Sequence, residues 1–79
     1  MKIYLLEQIE NNDYETYDSC VVCAESVEDA KCITPQGMEF GKYVSSFWAF
    51  TKKGITCTEL GTANKNLKRG VLNASFNAG

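Results

Sequence analysis

The chain has 79 residues, of which 44% are hydrophobic and 23% are charged, and its formal net charge is −2. This composition is typical of a globular protein and predicts a single domain over residues 1–79, not a disordered tail. The negative charge argues against general nucleic-acid binding, which needs a positive face to neutralise phosphates. Because so short a chain is only marginally stable alone, we expect it to form a homo-oligomer.

The N-terminal residues argue against export and against a membrane anchor. The first apolar run, residues 3–6, is four residues long, whereas the apolar part of a signal peptide has about 7–15 residues. No segment reaches the roughly 20 apolar residues of a membrane-spanning helix. The sequence therefore predicts a cytoplasmic protein without membrane contact, whose cysteines stay reduced.

Two apolar segments on either side of the polar residues 10–18 predict paired antiparallel strands. The second segment covers residues 20–24 and is rich in β-branched residues, which suit a pleated surface. In the first strand both faces are partly apolar, so either it is an interior strand that is covered on both sides or a partner subunit covers one of its faces. One face carries Ile3, Leu5 and Ile9, and the other carries Tyr4 and Leu6.

A short helix is predicted directly after the second strand. Ser26 has the form of an N-cap whose hydroxyl accepts a hydrogen bond from the backbone N–H of Asp29. Pro35 disfavours helical geometry in the preceding residue, so the helix should stop near Ile33. The apolar stripe that would pack on the sheet consists of Val27, Ala30 and Ile33.

The second half of the chain predicts two further strands, at residues 55–60 and 70–79. A long loop at 35–46 precedes them, and loops of this length in a small domain are often functional. Residues 47–51 are aromatic and give an optional fifth strand. The predicted fold class is α+β, a small antiparallel sheet in the order β-β-α-β-β with one short helix packed on one face.

The four cysteines suggest packing and not chemistry. Cys20 and Cys23 form a C-x-x-C pair with two valines between them, and on a strand residues three apart point to opposite faces. They therefore cannot easily share a zinc ion, and Cys32 and Cys57 stand alone in the sequence. We expect buried thiols that act as small hydrophobic groups, with no metal and no cofactor.

Catalysis has little support in the sequence. The chain contains no histidine, which is the commonest general base. It also lacks the phosphate-binding glycine motifs and the nucleophile elbow of hydrolases. We therefore expect a protein that is not an enzyme.

Aromatic and lysine residues mix in residues 40–53, as they do in many domains, and together they could form a binding surface. Aromatic rings stack on nucleobases and lysines contact phosphates. For Trp48 a place in the core is the alternative, because a domain this small needs its largest side chain inside. With two basic residues that follow later, the predicted ligand-binding residues are Phe47, Trp48, Lys52, Lys53, Lys68 and Arg69.

A second candidate surface lies in the acidic region 7–18. Tyr14 and Tyr17 in this region could cover the end of the sheet, or could contact another protein with large area at low entropic cost. The same residues are therefore candidates for packing and for partner binding.

The chain resembles a group of short, mostly uncharacterised proteins encoded by bacteriophages and prophages. The resemblance lies in residues 1–8, 14–19, 24–26 and 70–79, which are spread along the length of the chain but contain no catalytic motif. It implies a context in the cytoplasm of a bacterial host. Small phage proteins often disable a host factor, and some anti-defence members form oligomers that sequester nucleotide signals of bacterial immunity.

The leading hypothesis from the sequence is a phage-type anti-defence protein that sequesters a small phosphate-bearing nucleotide without turning it over. An inhibitor that binds and blocks a host protein is the first alternative. A structural or assembly protein without a ligand is the second.

Overall fold

Four strands and one short helix form the core of the structure, a computed structural model that describes residues 1–11, 15–41 and 47–77. The strands lie in one open antiparallel sheet, so the fold is α+β. A single 3-10 turn at Lys52–Gly54 precedes the third strand. The elements are β1 (Lys2–Gln8), β2 (Thr16–Ala24), α1 (Val27–Lys31), β3 (Ile55–Thr62) and β4 (Gly70–Asn77).

The spatial order of the strands is β3-β1-β2-β4 and differs from their order along the chain. The two apolar strands β1 and β2 therefore occupy the centre, where both of their edges are paired. Leu6 lies opposite Cys20 of β2 and Cys57 of β3, and Cys20 lies opposite Ala74 of β4. The strands with more polar residues, β3 and β4, form the two edges.

The prediction of an optional fifth strand at residues 47–51 is wrong. This segment has no strand pairing, and it holds its place through Trp48 and Ala49, which are 1% and 5% exposed. Both side chains pack in the core under the sheet, and the backbone of this segment follows an irregular path instead of pairing as a fifth strand. Of the predicted loop at 35–46, residues 42–46 lie outside the described residues.

Two strands are longer than the sequence predicts. β2 begins at Thr16 because Thr16 and Tyr17 lie opposite Asn77 and Phe76 at the end of β4, which extends the pairing beyond the apolar segment. β3 continues through Gly61 to Thr62, where the register with β1 shifts between Ile3 and Tyr4. A polar composition does not stop a strand when a neighbouring strand still supplies hydrogen-bond partners.

The predicted N-cap of the helix is confirmed. The Ser26 hydroxyl accepts a hydrogen bond from the Asp29 N–H at 3.1 Å. Of the predicted apolar stripe, Ala30 and Ile33 are buried, but Val27 is 40% exposed. The helix therefore packs through its last turn, and its first turn projects into solvent.

The core lies between α1 and one face of the sheet. Its largest fully buried side chain is that of Trp48. The opposite face of β1 carries Ile3 and Leu5, which are half-buried. Ile9 does not share this face, because β1 ends at Gln8 and the Ile9 side chain is 82% exposed. The core residues are Tyr4, Leu6, Cys20, Val22, Ala24, Ala30, Ile33, Trp48, Ala49 and Ile55.

Candidate functional site

One end of the sheet brings together residues 8–11, at the end of β1, and residues 47–55, which lead into β3. Gln8 at the end of β1 lies opposite Ile55 at the start of β3. At the same end, the N–H of Tyr17 donates to the carbonyl of Phe47 at 2.7 Å. The antiparallel topology thus places the predicted ligand-binding segment next to the acidic region.

A buried polar network fixes this end from inside. The Gln8 side-chain amide donates to the carbonyls of Asn11 and Tyr17 at 2.7 and 3.0 Å, and its oxygen accepts from the Asn11 N–H at 2.8 Å. The Asn11 amide in turn donates to the Trp48 carbonyl at 3.2 Å. A buried network whose groups are all hydrogen-bonded specifies one conformation. It therefore fixes the segment after β1 against the segment that contains Trp48.

The Glu10 carboxylate adds a second link at the surface. It accepts hydrogen bonds from the N–H and the hydroxyl of Thr51, each at 3.0 Å. Thr51 is the residue before the 3-10 turn, and the carboxylate satisfies its N–H, as the glutamate of a capping box does for an N-cap residue. This link fixes the backbone directly after Phe50.

Three large apolar side chains on these fixed connections face solvent. Ile9 is 82% exposed, Phe50 64% and Phe47 38%. We call these three residues the apolar end surface. Burying apolar surface is favourable by about 25 cal/mol per Å². The described chain leaves these three side chains exposed, so covering them with another molecule would be favourable.

Trp48 occupies the core and is 1% exposed. Its ring cannot stack on a ligand in this conformation. Its indole N–H is buried and has no hydrogen-bond partner among the described residues. Phe47, the neighbouring predicted residue, is 38% exposed.

Lys52 is exposed but already has two neighbours. Its Nζ lies 3.2 Å from Sγ of Cys32 and 5.7 Å from the centre of the Phe40 ring, a distance at which an ammonium is attracted to an aromatic face. Lys53 is exposed and forms no ion pair within the described part of the chain. The two lysines therefore present different surroundings to an anion.

Arg69 is held by two carboxylates. Its guanidinium lies 2.9 Å from Asp29 and 3.1 Å from Glu39. These contacts raise the pKa of Arg69, the Asp29 hydrogen bond most of all. They also compensate its charge, so a phosphate would have to displace acidic side chains. Lys68, the remaining predicted residue, is exposed.

The structure brings Lys52 and Arg69 to one segment, because both contact the stretch between the helix and the 3-10 turn. Lys52 meets this stretch at Phe40 and Arg69 meets it at the adjacent Glu39. A short bridge between Ile33 and Glu39 shapes this stretch. The cationic groups are thus linked through acidic and aromatic neighbours, and the local charge is balanced.

Of the two tyrosines predicted to bind a partner, Tyr14 lies outside the described residues. Tyr17 is half-buried, and its ring contacts the Phe76 ring edge-on at a centroid distance of 4.8 Å. Such aromatic pairs are worth about 0.5–1.5 kcal/mol beyond their buried area. Tyr17 therefore packs over the end of β4 and leaves only part of its ring for another protein.

The C-x-x-C pair is structural. Cys20 and Cys23 are 1% and 0% exposed, and their positions on β2 point to opposite faces. Burial raises the pKa of Cys20 to about 12, so this thiol stays protonated at neutral pH. The burial predicted for the cysteines is confirmed for these two, whereas Cys32 and Cys57 are only partly buried.

Within residues 1–11, 15–41 and 47–77, no group of three or more His, Cys, Asp or Glu side chains could hold a metal ion. In the same ranges no helix is long and apolar enough to cross a membrane.

The sequence pattern missed Ile9 and Phe50 as exposed residues of one surface. Ile9 fits the alternation of β1, and only the turn signals that follow it show that the strand ends before it. Phe50 lies in an aromatic segment whose alternation predicts a strand and whose backbone is irregular.

Comparisons with known proteins give no family for the chain. No family model matches it, and neither the curated proteins nor the solved structures contain a match.

Proposed function

We propose that the protein acts by binding, without catalysis, and that a second protein docks on the apolar end surface. The exposure of Ile9 and Phe50 carries this proposal. Exposed apolar side chains at one end of a domain often mark an interaction site, and aromatic anchors dominate the energy of protein interfaces.

The hydrogen bonds beneath this surface support the same function. Glu10 and the Gln8 network hold the backbone that carries the exposed side chains, so little conformational entropy is lost on binding. The expected partner has an apolar groove for Phe50 and, beside it, an acidic group for Lys53. In the context that the resemblance suggests, this partner is a protein of the bacterial host, bound in its cytoplasm by a homo-oligomer of the chain.

Affinity capture with matched variants tests the proposal. Phe50→Lys places a charge in the apolar end surface, and Leu60→Lys places the same charge on another exposed apolar residue, 54% exposed on β3. The wild type and Leu60→Lys should retain one host protein that Phe50→Lys loses. A host protein captured equally by all three would contradict the assignment of the surface.

A nucleotide ligand is the second candidate, favoured by the placement of Lys52 near the Phe40 ring with Lys53 exposed beside it. It has less support, because Trp48 is in the core and Arg69 is paired with two carboxylates. Calorimetry against cyclic oligonucleotides and ADP-ribose derivatives tests it. Tight binding that Lys53→Gln weakens, with intact ligand recovered after denaturation, supports sequestration, and no heat with any compound eliminates it.

A further inference from the structure

β4 forms one edge of the sheet. Its inner side pairs with β2, and no strand among the described residues pairs with its outer side. Eight residues long, it presents a row of backbone N–H and C=O groups that a further strand can bind. One of its amides, that of Ala74, already donates at 3.0 Å to the side chain of Asn73, a local acceptor in place of a strand.

This edge lacks most of the devices that keep edge strands apart. Residues 70–77 contain no charged residue and no proline, which are the usual protection against pairing. The strand does carry one protective device, a register shift that leaves Leu72 without a partner residue on β2. The Leu72 and Phe76 side chains are 41% and 45% exposed, so apolar groups accompany the open backbone.

The other edge differs in this respect. β3 carries Glu59, which forms an exposed ion pair with Lys2 at 3.1 Å. If two copies of β3 paired, their Glu59 side chains would lie on neighbouring strands. A pair of β4 strands brings no charged side chains together. An antiparallel pair of β4 strands also closes under two-fold symmetry, while β3-to-β4 pairing would continue into an open chain of subunits.

We propose that β4 pairs antiparallel with β4 of a second copy, which joins two four-stranded sheets into one sheet of eight strands. This inference rests on the self-association within the proposed function and is independent of what the apolar end surface binds.

Light scattering on two matched leucine variants tests the pairing. Leu60 and Leu72 are both exposed, on opposite edge strands, and both lie where the register with the neighbouring strand shifts. At micromolar concentration the wild type and Leu60→Lys should have twice the chain mass of 8.8 kDa. Leu72→Lys should have the mass of one chain, because lysine on an edge blocks strand pairing.

Circular dichroism first establishes that each variant keeps its sheet, and Ser75→Lys on the same strand repeats the test if Leu72→Lys unfolds. A monomeric wild type overturns the inference. A dimer that survives Leu72→Lys and Ser75→Lys, or that Leu60→Lys disrupts, also overturns it and places the interface elsewhere. Light scattering tests the strand pairing and affinity capture tests the docking surface, so the two can fail separately. A Leu72→Lys variant that is monomeric and still captures the host protein supports both.

Discussion

The Glu10 carboxylate accepts two hydrogen bonds from Thr51, across 41 residues of sequence. It joins the segment after the first strand to the segment before the third. Phe50, the most exposed aromatic residue described, lies directly before Thr51. The position of the apolar end surface therefore depends on a contact between two exposed polar residues.

Glu10→Ala should lower the free energy of unfolding by about 1 kcal/mol, as the loss of a capping side chain does. Gly54→Ala should have a similar effect, because the added methyl group would overlap the Glu10 side chain and push it from Thr51. In Glu10→Ala the space is vacant, so adding Gly54→Ala should cost little more. Urea unfolding of the single and double variants measures this coupling.

The control for this cycle is Glu7→Ala, an exposed carboxylate on β1. It should change the unfolding free energy by much less than Glu10→Ala. Additive effects of Glu10→Ala and Gly54→Ala would show that the glycine and the carboxylate do not share the space.

Asp29→Asn should destabilise the protein at neutral pH by about 1 kcal/mol. The Glu25 N–H and then Arg69 lower the pKa of the Asp29 carboxyl below its ordinary value, against the opposing effect of burial. Because the pKa is lower in the folded state, the Asp29 carboxylate stabilises the protein at any pH above the ordinary aspartate pKa of about 4. This stabilisation is lost as the pH falls through the folded-state pKa. Urea titrations from neutral to acidic pH measure the difference between the two proteins.

That difference should shrink below the ordinary pKa of an aspartate, since the protonated wild type loses the same interactions. Glu28→Gln, which removes a carboxylate from the same turn of the helix, is measured alongside as the control. An Asp29→Asn effect that stays constant into acid would contradict the role of the charge.

Gln8→Leu should cost about 2 kcal/mol of unfolding free energy, because it leaves the carbonyl of Tyr17 and the N–H of Asn11 without the side chain that satisfies them. Leucine has a similar volume, so packing changes little. Thermal and urea unfolding measure the loss. A neutral or stabilising substitution would mean that the network adds no stability to this end of the sheet.

Thiol labelling should divide the cysteines into two pairs. Native protein at neutral pH should react at Cys32 and Cys57, which are partly exposed, and not at the buried Cys20 and Cys23. In urea all four should react. Mass spectrometry of the labelled peptides gives the pattern, and native labelling of Cys20 at a rate similar to Cys32 would contradict the core described above.

The central strands and the helix start could be predicted from the sequence, because each has a local cause. The alternation of apolar residues marks β1 and β2, and the Ser26 hydroxyl is three residues from the N–H that it caps. Cys20 and Cys23 could be assigned to opposite faces from strand geometry alone.

The remainder depends on contacts between distant residues. Thr16 joins β2 only because Asn77 lies opposite it, and residues 47–51 are anchored by Trp48 and by Glu10 of another segment. Arg69 is not free to bind a phosphate, because the fold pairs it with Asp29 and Glu39. No local sequence pattern indicates these pairings, so the sequence could not show that acidic side chains neutralise Arg69.

The most direct test of the account is the affinity of the captured host protein, once purified, for Phe50→Lys compared with wild type and Leu60→Lys. Calorimetry should give matching affinities for the wild type and Leu60→Lys, and binding at least about 30-fold weaker for Phe50→Lys, as for the loss of an interface anchor. Equal affinity for all three proteins would contradict the claim that the apolar end surface is the docking site.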